Sequence, residues 1–321
     1  MSWSSPGGPG RLAGDGAVVA RAPAKVNVHL AVGPLRADGF HELRTVYLAV
    51  SLFDTVTVRP GDGLALTLTG EGAAGAGADA VPTDRRNLVW RAAELLAERA
   101  GVPADATIAV DKSIPAAAGL AGGSADAAAA LVALDALWGT HATRGELAAL
   151  AAQLGSDVPF SLQGGVALGS GRGEQLSPVL ARRRWDWVLG IAGEGLSTPA
   201  VYAELDRLRA AGRLPDGSDL DSPEPVIAAL RSGPVPALAA ALANDLQAPA
   251  VSLRPALRRA LRAATDAGAQ ASLVSGSGPT VAALAEDEED AVRLAAVLAG
   301  EGVYRTVRAV YGPVPGARLV G

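Results

Sequence analysis

From Lys25 to Leu30 the side chains alternate: Lys25, Asn27 and His29 fall on one face, Val26, Val28 and Leu30 on the other. A period of two predicts a strand. Its polar face either meets solvent, as is normal for an antiparallel sheet, or lines a cleft. Alternating or β-branched runs predict further strands over Ala17–Arg21, Ala24–Val32, Leu43–Val50, Thr55–Arg59, Leu64–Thr69, Thr107–Lys112 and Gly165–Gly169. Helices are expected over Asn87–Ala100, with Asn87 as N-cap, Ala125–Trp138, Gly145–Leu154 and Pro159–Leu162. In the second half, strands are expected over Trp185–Ala192, Ala271–Val274, Thr280–Leu284 and Tyr304–Val310. Helices are expected there over Pro199–Ala211, Pro225–Arg231, Val235–Leu242, Arg254–Ala267 and Glu288–Ala299. Strands and helices mix without strict βαβ alternation, which predicts an α+β protein of two domains. The boundaries read as a flexible tail over 1–16, an N-terminal domain over 17–180 and a C-terminal domain over 181–321. The linker is placed in the Gly-, Pro- and Arg-rich segment Ser170–Arg184.

Pro115 to Ala127 reads PAAAGLAGGSADA, a glycine-rich loop running into an alanine-rich helix. Gly119, Gly122 and Gly123 allow close approach of a ligand and positive φ at no steric cost. The helix that follows aims free N–H groups and its dipole at whatever occupies the loop, and the natural guest is a phosphate. A plain connector before a buried helix would look similar. Gly70, Gly72 and Gly75 also match the dinucleotide spacing, but no helix opens after them, so the segment reads as a loop.

Other polar clusters add candidate chemistry. Asp38-Gly39 is a turn signal followed at once by Phe40 and His41. An aromatic beside a histidine can stack on and hydrogen-bond a nucleobase, or it can plug a sheet edge. In Gly155-Ser156-Asp157-Val158-Pro159, Ser156 or Asp157 suits a helix N-cap, while Asp157 also suits a carboxylate that accepts a hydroxyl proton. Ser275-Gly276-Ser277-Gly278-Pro279-Thr280 alternates glycines and hydroxyls between two strands, a nest able to hold a phosphate or a sugar oxygen.

Composition narrows the classes. With 321 residues, 49% of them hydrophobic, the chain is globular and able to bury a large core. It has 28 basic and 33 acidic residues, net charge −5, and no basic stripe, which disfavours nucleic-acid binding. No apolar run approaches the ~20 residues of a membrane span. The first residues, MSWSSPGGPGRLAGDG, lack the apolar core of a secretory signal. The chain has no cysteine, which removes disulfides, thiolate metal sites and thiol nucleophiles and fits a reducing cytoplasm. No G-x4-G-K-[S/T] sequence is present, so a P-loop kinase is excluded.

Taken together, APAKVNVHL, IPAAAGLAGGSADAAAAL, LGSDVPF and SGSGPTV resemble, in order and spacing, the motifs of the GHMP kinase superfamily. RADGFHEL is similar to the branch acting on 4-diphosphocytidyl-2-C-methyl-D-erythritol. The resemblance spans nearly the whole chain after the tail. It implies an N-terminal domain like ribosomal protein S5, a ferredoxin-like C-terminal domain, and an active site in the cleft between them. It implies phosphorylation of the 2-hydroxyl of that cytidine compound in non-mevalonate isoprenoid synthesis, with ATP and Mg²⁺ as cofactors and a small molecule as the partner. Lys25 and Asp157 then match the catalytic pair, with Asp157 as base. Asn27 would hold substrate, Phe40 and Tyr202 would sandwich cytosine, and His41 would hydrogen-bond it. Pro115, Ala116, Ala117, Ala118, Gly119, Leu120, Ala121, Gly122, Gly123, Ser124 and Ala125 would wrap the ATP phosphates. Gly276, Ser277, Gly278 and Thr280 would sit near substrate and the transferred phosphate. Ala121, Ala125 and Asp126 depart from the Gly, Ser and Asn of one family variant. An Asp126 near the phosphates would repel them unless it turned away or met Mg²⁺, whose ligands the resemblance does not fix; Asp157 and Ser124 are the nearest candidates.

Overall fold

A computed structural model describes residues 16–73, 81–193 and 195–320. The proposed tail, apart from Gly16, and Gly75 of the loop after Thr69 lie outside the described residues.

The first half is built on two long strands. β1 (Val18–Leu35) and β2 (His41–Arg59) pair antiparallel and each absorbs two of the strands expected from sequence. The interruption between the expected strands is a register shift at Pro23/Ala24; two further shifts lie between Asn27 and His29 and between Val32 and Leu35. A proline lacks the N–H a ladder needs and is accommodated at a bulge. β3 (Leu64–Thr69) runs parallel to β4 (Ala106–Asp111), which pairs with the end of β2. β5 (Val166–Ser170) pairs with the start of β2, and β6 (Gln175–Pro178) folds back on β5 as a hairpin. The segment expected as linker therefore contains a strand of this sheet. Gly171 and Gly173 turn it with positive φ.

Helix α1 (Leu88–Ala100) begins where expected, with Asn87 Oδ1 accepting the N–H of Val89 at 2.8 Å. Helix α2 (Gly122–Trp138) crosses the buried face of the sheet. Ala125 and Ala127–Ala130 are fully buried on it, so small side chains let the helix sit close to β1, β2 and α1. α3 (Arg144–Leu154) opens with a capping box between Thr143 and Glu146, and α4 (Val158–Gln163) follows.

In the second half, β7 (Trp185–Ile191), β9 (Ala271–Val274), β10 (Thr280–Leu284) and β11 (Thr306–Gly312) form a four-stranded antiparallel sheet ordered β11-β7-β10-β9. In chain order that is fourth, first, third, second, the arrangement of a split βαβ fold. Around it lie α5 (Thr198–Ala210), α6 (Glu224–Ser232), α7 (Val235–Ala241), α8 (Gln247–Leu253), α9 (Ala256–Asp266) and α10 (Glu288–Gly300). Two short strands of this half return to the first sheet: β8 (Ala243–Asn244) runs parallel to β1, and β12 (Arg318–Leu319) closes its other end. One hydrophobic core joins Val26, Leu131, Trp187, Leu230 and Leu284, so side chains of both halves pack together. No helix among the described residues is long and apolar enough to cross a membrane.

Candidate active site

A cleft of about 690 Å³ opens between the halves, and the sequence motifs converge on it. Lys25 and Asn27 project into it from β1. Both are buried, so the polar face of this strand is a cleft wall and not a solvated surface. The register shift after Asn27 breaks the alternation: Leu30 lines the cleft, while His29 does not and is buried elsewhere.

Lys25 Nζ donates to Asn27 Oδ1 at 2.6 Å and to the carbonyl of Gly119 at 3.1 Å, and lies 3.7 Å from Asp157 Oδ2. Asn27 Nδ2 in turn donates to Thr45 Oγ1 at 2.8 Å, which donates to the carbonyl of His29. Burial lowers the Lys25 ammonium below the ordinary lysine range, against the pull of Asp157. Asp157 occupies the N-cap position of α4, yet its side chain makes no cap bond. Its Oδ1 instead accepts the hydroxyl of Tyr47 at 3.1 Å. Tyr47 is stacked on Phe160 with ring centroids 4.8 Å apart, and burial holds its hydroxyl well above the ordinary tyrosine range, so it stays a donor. Of the two roles open to Asp157, capping is thus not used. The carboxylate is held toward the cleft by an ammonium and a phenol.

The glycine-rich loop differs in detail from expectation. Positive φ occurs at Gly119 and also at Ala117 and Ala121, whereas Gly122 and Gly123 are already the first turn of α2. Gly119 is needed because a Cβ there would strike the carbonyl of Ser275. At Gly122 a Cβ would crowd the Ile114 side chain at 3.1 Å. The N-cap, Ala121, offers no side-chain acceptor, so the first N–H groups of α2 stay free for a ligand. Ala117, Ala118, Gly119, Ala121, Gly122, Gly123 and Ser124 line the cleft; Pro115, Ala116, Leu120 and Ala125 flank or support it.

Asp126 does not face the cleft. It is buried beneath the loop, where Lys112 Nζ donates to its Oδ2 at 2.5 Å and to Asp54 Oδ2 at 2.6 Å. Asp54 Oδ1 accepts the N–H groups of Ser113 and Ile114 at the start of the loop. Burial pushes the Asp126 carboxyl well above the usual range despite Lys112, and its Oδ1 has no partner. Burial also opposes the charge on Lys112, but the two carboxylates outweigh it and hold its ammonium above the ordinary range. The expected repulsion is avoided because the side chain turns inward.

Opposite the loop, Gly276 and Ser277 line the cleft. Gly276 has φ 56°, and a Cβ there would come within 3.1 Å of Lys25 Nζ and Asn27 Oδ1. Gly278 and Thr280 lie behind, where the Thr280 N–H donates to the Ala118 carbonyl and ties the two loops together. Ser275 Oγ donates to the Gly119 carbonyl at 3.1 Å, and Ser277 Oγ meets Thr198 Oγ1 at 2.9 Å.

Aromatic groups collect at the far end of the cleft. Phe40 is 47% exposed, with the guanidinium of Arg172 over its ring at 4.8 Å. His41 is buried with its ring 5.1 Å from that of Tyr202 on α5, and its Nε2 lies 2.9 Å from Asp206 Oδ1. Burial raises the Tyr202 hydroxyl above the ordinary range. Sequence reasoning missed Tyr47, Arg172, Thr198 and Asp206. Only Asp206 left a local signal, standing four residues after Tyr202 on the same helix face.

Lys25 carries a pH prediction. If its protonated form is required, activity falls as pH rises through its lowered pKa, so the alkaline limb of kcat/KM lies below the ordinary lysine range. A Lys25→Arg variant keeps residual activity without that limb, because a guanidinium does not deprotonate in this range. A limb unchanged in the variant would show that another group titrates.

Among the described residues no three His, Cys, Asp or Glu side chains gather as a metal cage. The cleft wall offers the Ser124 hydroxyl and the Asp157 carboxylate as oxygen donors. That sparse set suits Mg²⁺, which keeps waters and binds largely through nucleotide phosphates.

Residues 87–165 match the family model of the GHMP kinases N terminal domain, and residues 226–303 that of the GHMP kinases C terminal domain. The chain is 58% identical over 303 residues to a 4-diphosphocytidyl-2-C-methyl-D-erythritol kinase of Rhodococcus jostii, covering 94% of this chain and 95% of that protein. It is 57% identical over 305 residues to the protein of the same name from Mycobacterium tuberculosis, covering 95% and 93%. A crystal structure of a 4-(cytidine 5'-diphospho)-2C-methyl-D-erythritol kinase superposes with TM-score 0.71 at 35% identity, over 94% of this chain and 99% of that one. A homoserine kinase from Cytophaga hutchinsonii superposes with TM-score 0.70 at 18% identity, over 96% and 98%, and shares the fold alone.

Proposed function

The chain belongs to the 4-diphosphocytidyl-2-C-methyl-D-erythritol kinases of the GHMP family, and from that premise we propose how its cleft carries out the reaction. The protein transfers the γ-phosphoryl group of ATP to the 2-hydroxyl of 4-diphosphocytidyl-2-C-methyl-D-erythritol, giving the 2-phosphate and ADP, a step toward isoprenoid precursors. One observation carries the mechanism: a carboxylate free of capping, Asp157, stands with Lys25 across the same cleft as the uncapped N-terminus of α2.

Phosphoryl transfer asks a protein mainly for positioning and electrostatic stabilisation. The free N–H groups at the start of α2 and the loop Ala117–Ser124 hold the ATP phosphates. Asp157 takes the proton of the 2-hydroxyl as that oxygen bonds to the γ-phosphorus and the bond to ADP breaks. Lys25 steadies the developing negative charge, Tyr47 fixes the rotamer of Asp157, and Asn27 orients the substrate. Gly276 and Ser277 close around the reacting groups. Mg²⁺, held by the nucleotide with Ser124 and Asp157 nearby, would offset phosphate charge. Phe40 and Tyr202 flank the cytosine, and His41 meets its edge. The partner is a small molecule and not a nucleic acid, and the chain without cysteine works in the cytoplasm.

Phe40→Ala tests the base site. Stacking on an aromatic contributes about 1–3 kcal/mol per base, so KM for the cytidine substrate should rise about 5- to 150-fold. KM for ATP should stay constant. An unchanged KM for the cytidine substrate would remove Phe40 from the base site.

A further inference from the structure

Asp206 has no part in the chemistry above, yet it sits at the edge of the base site. It stands one helical turn after Tyr202 on α5, and its Oδ1 lies 2.9 Å from His41 Nε2. The other ring nitrogen of His41, Nδ1, has no partner among the described residues and is not sealed in the interior. His41 is otherwise buried and lines the cleft, so its ring is fixed between Tyr202 and Asp206.

An ionised carboxylate only accepts hydrogen bonds, so the ring nitrogen facing it must carry the proton. In the neutral ring the other nitrogen is then an acceptor. An acceptor at the base edge selects a donor. Cytosine presents its exocyclic amino group at C4, where uracil presents a carbonyl oxygen. We infer that Asp206 is a positioning residue for base selection: by holding His41 in the Nε2–H form it leaves Nδ1 as the acceptor that reads the cytosine amino group and rejects uracil. This rests on the proposed placement of the base between Phe40 and Tyr202.

An amide in place of the carboxylate can turn its NH₂ toward Nε2. The proton then moves to Nδ1, and the site offers a donor that suits the uracil oxygen. The experiment compares wild type, Asp206→Asn and Asp206→Glu on the cytidine-diphosphate-linked substrate and its uridine-diphosphate analogue, in alkaline buffer. The preference for cytidine, as a ratio of kcat/KM values, should fall about 5- to 150-fold in Asp206→Asn, the range of one mispaired base contact. Asp206→Glu, still acceptor-only, should recover part of it. In parallel, ¹⁵N NMR of the free protein reads the tautomer directly, and with three histidines in the chain the His41 signal is assignable by substitution. The expected result is Nε2–H in the wild type and a shift toward Nδ1–H in Asp206→Asn. A merely structural role would weaken both substrates equally. An unchanged ratio, or an Nδ1–H tautomer in the wild type, overturns the inference while leaving the kinase reading intact. Failure of the wild type to turn over the cytidine compound at all would instead overturn the function, and the inference with it.

Discussion

Asp157→Asn should lower turnover by about 10²–10⁴-fold, the contribution typical of a general base. The amide is nearly isosteric, and its oxygen can still accept the Tyr47 hydroxyl, so the local geometry survives. What is lost is the ability to take the proton of the 2-hydroxyl and the charge that pairs with Lys25. ATP binding depends on the loop Ala117–Ser124 and the start of α2, so its dissociation constant should change little. Single-turnover kinetics with a parallel ATP titration separates the two effects. Near-wild-type turnover would rule out Asp157 as the base; loss of ATP affinity equal to the loss of turnover would mean that it holds the nucleotide instead.

Breaking the buried triad beneath the loop should produce the largest loss of stability. Lys112 sits between Asp54 and Asp126 with all three side chains sealed from solvent. Lys112→Met leaves two carboxylates facing each other without a cation, and removing one partner of a buried ion pair typically destabilises by about 3–5 kcal/mol. Asp126→Asn should be milder, because the ammonium keeps Asp54 as its partner, burial opposes the charge on the Asp126 carboxyl, and its Oδ1 makes no bond to lose. Denaturant unfolding of both variants checks this. The loop should also loosen in Lys112→Met, because Asp54 anchors the N–H groups of Ser113 and Ile114. Equal and small losses in the two variants would contradict the picture of a triad that needs its cation.

Much of the site was legible because its residues stand in short, locally unusual strings. Lys25 and Asn27 interrupt an apolar strand, the loop before α2 is too rich in glycine for a plain turn, and Asp157 precedes a helix it turns out not to cap. Tyr47 was not legible. It lies within an apolar strand pattern, and its partner Asp157 is 110 residues away in sequence. His29 was placed with Lys25 and Asn27 by strict alternation, but a register shift, invisible in the pattern, sends Leu30 into the cleft instead. The short strands β8 and β12 went unseen because two residues carry no period. They pair with β1 only because the second half packs against the first. Which way Asp126 turns was open in the sequence, and only the fold reveals the buried Lys112 that draws it inward.

The proposed function is a phosphoryl transfer directed by recognition of cytosine. The most direct test is a coupled ADP-release assay with Mg-ATP that compares the cytidine-diphosphate methylerythritol substrate with mevalonate, homoserine and galactose. Turnover is expected with the cytidine compound alone. Turnover with another acceptor, or nucleotide binding without turnover of any of them, would contradict it.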